Sequence, residues 1–171
     1  MKPERIIWHH SADASEAHQW DKINNYHKQR TFPKSTFGYW IGYHWLVERD
    51  GTVRQAREET EIGAHDTGEN LNSIGIGLAG DFNLHTPTEE QTAAAARLLG
   101  EIRARWKIPL TRIEPHRWDD TTDCPGRLLP DNWLIEQYLD RETNGVAKAF
   151  LWLGKYYGWL YLQSKYQKSI N

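Results

Sequence analysis

The sequence predicts an α/β fold: a single domain built on a central mixed β-sheet flanked by helices. Three observations carry that prediction. Short apolar runs of strand length alternate along the chain with segments whose apolar residues recur at helical spacing. Two of the runs are joined by Arg49-Asp50-Gly51-Thr52, a hairpin turn that places an antiparallel pair in the sheet. A chain of 171 residues with 39% hydrophobic side chains can build one core and has little left for a second domain.

Each element has its own justification. Arg5-Ile6-Ile7-Trp8-His9 reads as a buried strand ending in polar residues. From Ser15 to Arg30, Ala17, Trp20, Ile23 and Tyr26-His27 fall at helical spacing, with Asp13 or Ser15 as the N-cap. Thr31 to Tyr39, with Pro33, Ser35 and Gly38, reads as a loop. Tyr43 to Glu48 is strand-like, and Val53 opens the return strand after the turn. Ile74 to Leu78 alternates apolar residues with glycine, the pattern of a central strand that something approaches closely. Thr88-Glu89-Glu90-Gln91 is a capping box, and the helix behind it aligns Ala95, Leu99, Ile102 and Trp106. A short strand is expected near Arg112-Ile113-Glu114, and a short helix from Leu134 to Leu139.

Charge divides the chain unevenly. The formal net charge of -2 gives no basic field for nucleic acid, so no nucleic-acid partner is expected. Beyond Thr143-Asn144-Gly145, however, the chain carries Lys148, Lys155, Lys165 and Lys168 and no acid. This predicts a domain over residues 1–144 and a cationic, aromatic helix over 145–171. Phe150 to Leu162 is rich in aromatics and too short to span a bilayer, which fits a membrane-surface or outer-envelope contact. A helix docked on the domain or paired with a second copy fits as well, and the oligomeric state is left open. No apolar run reaches 18 residues, and Met1-Lys2-Pro3-Glu4-Arg5 lacks a signal-peptide core. A soluble protein made in a cytoplasm is the expectation.

Three side chains suggest metal chemistry: His9 at a strand end, His116, and Cys124 eight residues further on. Catalytic zinc commonly takes three protein ligands of this nitrogen and sulfur type and keeps a fourth position for water. A lone cysteine reads equally as a buried thiol, so spacing alone leaves both alternatives standing. His10 should point to the opposite face from His9, and His44 to the opposite face from Tyr43. His18, His27 and His85 read as helix-surface or loop residues. Tyr39, Trp40 and Trp118 read either as platforms for sugar or peptide or as core.

The joint pattern is more specific. Trp8-His9-His10-Ser11-Ala12, Gly42-Tyr43-His44-Trp45, Arg49-Asp50-Gly51-Thr52-Val53, Gly63-Ala64-His65, Asn72-Ser73-Ile74-Gly75-Ile76 and Pro115-His116 to Cys124-Pro125 occur in this order. The set resembles the zinc-dependent type 2 N-acetylmuramoyl-L-alanine amidases, which include phage lysozyme-type enzymes and peptidoglycan recognition proteins. The resemblance extends over about residues 4 to 140. It implies His9, His116 and Cys124 as zinc ligands and Tyr43 as a catalytic residue near the reacting carbonyl. It places His65 and the Asn72-Ser73 turn near the substrate. Two positions before the cysteine, where one phage branch has a catalytic lysine, this chain has Thr122, as in the enzymatic recognition proteins. A neutral hydroxyl can still donate to an oxyanion, without the lysine's charge.

The activity so implied is zinc-dependent hydrolysis of the amide between N-acetylmuramic acid and L-alanine in peptidoglycan, by a phage-type endolysin acting at the host wall. The alternative is a recognition protein that binds peptidoglycan without cutting it. Relatives of that kind commonly lack the ligand cysteine, which is present here as Cys124.

Overall fold

In the computed structural model, residues 1–15 and 18–143 are described. The expected C-terminal helix over 145–171 lies outside the described residues. The first compact unit of the chain, Met1–Gln137, holds the whole sheet. Its strands are β1 (Arg5–His10), β2 (Trp45–Val47), β3 (Val53–Gln55), β4 (Ser73–Leu78) and β5 (Ile113–Pro115), and its two long helices are α1 (Trp20–Gln29) and α2 (Glu89–Trp106). A further helix begins at residue 133, where the sequence leads one to expect Leu134. The described part of the second unit, residues 138–143, is helical. Among the described residues no helix is long and apolar enough to cross a membrane.

The sheet order is β3-β2-β4-β1-β5. β1 runs parallel to β4 and β5, and β2 runs parallel to β4. The β2–β3 hairpin alone is antiparallel, so the sheet is mixed as expected. β1 and β4 lie between neighbours on both sides, and that position explains their near-continuous apolar sequences. Ile6, Ile7, Trp8, Ile74, Ile76 and Leu78 are all fully buried.

α2 forms as the sequence implies, with one difference. The Thr88 hydroxyl accepts from the Gln91 backbone N–H at 3.1 Å, but the Gln91 side chain does not return the bond. It is buried and donates instead to the Val47 and Ala79 carbonyls at 3.0 and 2.8 Å, tying the helix start to the ends of β2 and β4. Ala95, Leu99 and Ile102 face the core. The indole N–H of half-buried Trp106 donates to Glu59.

α1 departs further from expectation. It begins at Trp20 and has no side-chain cap of its own. The carboxylate of Glu48, at the end of the hairpin's first arm, accepts from Gln19 N at 2.9 Å and Trp20 N at 2.9 Å. A buried anion at a helix N-terminus satisfies orphan N–H groups and faces the positive end of the helix dipole. This long-range cap supersedes the Asp13 or Ser15 cap read from the sequence. Asp13 closes a local turn instead, its carboxylate accepting from Ser15 N at 2.9 Å.

Candidate metal centre

The face of the sheet that carries the site is shaped by two glycines in β4. His9 lies opposite Gly77 in the parallel register. A Cβ at Gly77 would stand 2.4 Å from the Tyr43 ring, and one at Gly75 would stand 2.5 Å from the His65 ring. β4 thus gives up side chains where two rings press against it, the close approach its glycine alternation signals. Tyr43 precedes β2, whose ladder starts at Trp45, two residues later than expected. His44 is fully buried, and its ring meets the edge of the His65 ring at 5.5 Å between centres. Its Nδ1 accepts from Gly75 N at 2.9 Å and its Nε2 donates to the Glu61 carbonyl at 2.9 Å, so it is a structural residue.

The loop after β5 brings the other two candidate ligands to His9. His116 begins it and Cys124 ends it, and Arg117 N donates to the Cys124 carbonyl at 2.8 Å, folding the eight-residue spacing back on itself. The Arg117 guanidinium anchors the return by donating to the Gly126 and Leu129 carbonyls at 2.9 and 3.0 Å. Arg5 forms ion pairs with Glu69, Glu114 and Asp119 at 3.2, 3.0 and 3.4 Å, linking the start of β1 to β5 and to the loops that carry Glu69 and Asp119.

One nitrogen each of His9 and His116 and the Cys124 sulfur lie within 4.8 Å of one another. Cys124 Sγ is 3.7 Å from His9 Nδ1 and accepts a backbone N–H from His10 at 3.4 Å. The rings of His9 and His116 stand 4.4 Å apart, centre to centre. His116 Nδ1 is buried with no hydrogen-bond partner. Burial and the neighbouring imidazoles push His9 well below the ordinary histidine range, and burial lowers His116. Burial also pushes the Cys124 thiol up to about 12. Unaided, this site favours uncharged donors. A divalent cation reverses that preference, since it draws on imidazole lone pairs and stabilises a thiolate. The orphaned His116 nitrogen, the facing His9 Nδ1 and the buried sulfur therefore fit a zinc-type ion.

A cleft of about 230 Å³ opens over these atoms, lined in part by Tyr43, His65 and Thr122. A second hollow of about 500 Å³ shares Ala12, His27 and Tyr43 with it and extends past Lys22 and Tyr26. Tyr43 packs on His9 at 5.2 Å between ring centres, and its hydroxyl donates to the His10 carbonyl at 3.4 Å. The Thr122 hydroxyl accepts from Cys124 N at 3.1 Å.

Asn72 and Ser73 do not line this cleft. Ser73 is fully buried behind His65, and the Asn72 carbonyl accepts from Glu4 N and Arg5 N at 2.7 and 3.3 Å. His10 is turned away from the ligands, its Nδ1 accepting from Phe82 N at 3.1 Å. His27, expected on a helix surface, is buried. Its Nδ1 accepts from Gly42 N at 3.0 Å, and its ring stacks on Phe32. Tyr39 packs against Trp20, Trp40 lies beneath Lys28 and Lys34, and Trp118 is exposed. The sequence reading missed Asp66, which is buried beside His116 with neither carboxylate oxygen hydrogen-bonded. Burial, with Asp119 and Glu69 nearby, raises its carboxyl to about 6. Only its place next to His65 could have drawn attention to it.

Comparison with known proteins identifies the family to which this fold belongs. Residues 1–127 match the Amidase_2 family, described as N-acetylmuramoyl-L-alanine amidase. The chain belongs to that family. It is 40% identical over 87 residues to peptidoglycan-recognition protein SC2 of Drosophila melanogaster, covering 50% of this chain and 47% of the relative. It is 39% identical over 101 residues to the endolysin of Escherichia phage T7, covering 54% and 64%. The chain thus spans about half the length of the recognition protein and less than two thirds of the endolysin. Among solved structures it is similar to the N-acetylmuramoyl-L-alanine amidase LysC from Clostridium intestinale, with a TM-score of 0.68 and 29% identity over 82% of this chain and 86% of that one.

Proposed function

We propose that this protein hydrolyses the amide between N-acetylmuramic acid and the L-alanine of peptidoglycan, with zinc held by His9, His116 and Cys124. The observation that carries this reading is the imidazole–imidazole–thiol group at the floor of a cleft. Zinc, when bound there, supplies Lewis-acid polarisation of the amide carbonyl and lowers the pKa of water. The chain's own residues do the rest. Burial raises the Tyr43 phenol above its ordinary pKa, so it keeps its proton at neutral pH. Its bond to the His10 carbonyl is long at 3.4 Å and can be exchanged for one to the substrate carbonyl oxygen. Thr122 Oγ accepts from Cys124 N, which leaves its own proton free for the developing oxyanion. The hollow beside the cleft offers room for the sugar and peptide arms. His65 is part of the cleft wall, whereas Asn72 and Ser73 act behind it, supporting the site.

The similarity to a phage endolysin supports a lytic role at the bacterial wall. The similarity to peptidoglycan-recognition proteins supports the second reading, binding without cleavage. Digestion of purified peptidoglycan separates the two. The amidase reading expects new amino termini on L-alanine and no new reducing sugar ends. Reducing ends would indicate a glycosidase, and binding without either product would leave the recognition role.

A further inference from the structure

We propose that two adjacent loop residues, His65 and Asp66, fix the tautomers of both candidate ligand histidines and so pre-arrange the site for metal. The inference rests on the metal-centre reading above.

Proton bookkeeping sets the direction. The Ser73 hydroxyl donates to the Glu69 carbonyl at 2.6 Å. A hydroxyl has one proton, so towards His65 Nε2, 3.4 Å away, Ser73 Oγ can only accept. His65 Nε2 therefore carries the N–H and donates, which leaves His65 Nδ1 as a bare acceptor. That atom faces His9 Nε2 at 3.1 Å. His9 Nε2 must then hold the proton of the neutral ring, and His9 Nδ1 presents its lone pair to Cys124, 3.7 Å away. The relay from the Glu69 carbonyl to His9 has one consistent polarity, and it aims the nitrogen nearest the sulfur at the metal position.

Asp66 acts on the other ring. Its buried Oδ2 is 3.9 Å from His116 Nε2, and neither of its carboxylate oxygens has a hydrogen-bond partner. Negative charge on that side favours the proton on Nε2 and leaves Nδ1, the orphaned nitrogen, free to ligate. The two residues are held as a pair: His65 N and Asp66 N both donate to Asn70 Oδ1, at 2.8 and 3.1 Å. Gly63 and Gly75 make room for the His65 ring, since a Cβ at either would come within 2.5 Å of it. Residues 65–70, which hold no candidate ligand, thus orient two ligands drawn from distant parts of the chain.

The test uses the whole 171-residue chain. Long-range proton–nitrogen NMR of the metal-free protein, labelled at histidine nitrogen, reads the tautomers directly. His9 and His65 should both be protonated at Nε2. Zinc competition against a chromophoric chelator should then show about 10–100-fold weaker binding for His65→Ala and Asp66→Ala. His65→Asn, which returns an acceptor oxygen near the Nδ1 position, should recover most of the loss. This rescue separates positioning from a general loss of stability, followed in parallel by urea unfolding. A wild-type protein that binds no zinc would defeat the metal reading and this inference together. Tight wild-type binding with unchanged variants, or His9 protonated at Nδ1, would overturn this inference alone.

Discussion

Gly77→Ala places one methyl group where the structure has room for none. Its Cβ would lie 2.4, 2.7 and 2.9 Å from Cδ2, Cε2 and Cγ of Tyr43, whereas ordinary carbon contacts begin near about 3.5 Å. β4 cannot retreat, because it is hydrogen-bonded on both sides, to β1 and to β2. The atoms struck run from the root of the ring along one edge, and the ring is packed against His9 and His27, so it must back off by about 1 Å. Overpacking of this kind costs about 1–3 kcal/mol of stability. A 1 Å displacement of a positioned catalytic group can cost up to about 100-fold in rate. The expected result is an unfolding free energy lowered by about 1–3 kcal/mol in urea, bound zinc retained, and release of L-alanine amino termini slowed by about 10–100-fold. Wild-type rate with wild-type stability would refute the argument that β4 gives up its side chain to seat Tyr43.

Other perturbations follow from the same structure. Glu48→Ala leaves Gln19 N and Trp20 N buried without their carboxylate, and should cost about 2–4 kcal/mol in urea unfolding, with Glu48→Gln recovering part of it. Thr122→Ala should slow turnover by about 10–1,000-fold without changing zinc content, and Thr122→Ser should restore most of the rate. Acid should destabilise the metal-free protein. Burial lowers His27 and His44 from 6.5 to about 4, so between those values the unfolded chain binds more protons and stability falls as pH falls. Each contributes about 1.4 kcal/mol per pH unit, and Asp66, raised to about 6, opposes with one such contribution below that pH. Urea midpoints should therefore drop from pH 6.5 to pH 5, and a flat profile would contradict the buried neutral histidines.

What the sequence made legible depended on the range of the interaction. β1, the hairpin, β4 and α2 were readable because apolar period, turn residues and the Thr88 cap are local signals. The start of α1 was not, because its cap is Glu48, 28 residues beyond Trp20. The Gln91 side chain likewise serves β2 and β4 in place of its own helix end. In the site, the pattern of matching motifs nominated His9, His116 and Cys124, and the structure brings their ligand atoms together. It also brings in Asp66, whose buried carboxylate, without a hydrogen bond and 3.9 Å from His116, looks in sequence like any surface acid. Arg57 was hidden for the same reason. It is fully buried and donates to the Ile41 carbonyl at 2.8 Å, holding the chain just before Tyr43. The glycines of β4 announced a close approach, but not that His65 and Tyr43 are what approach.

If metal and amide hydrolysis share one site, bound zinc and freed L-alanine amino termini, measured on the same samples of wild type and Cys124→Ala, must rise and fall together. One zinc per wild-type chain and cleavage of peptidoglycan, both lost in the variant, are the expected result. Cleavage that survives the loss of zinc, or a zinc-loaded wild type that frees no amino termini, would contradict it.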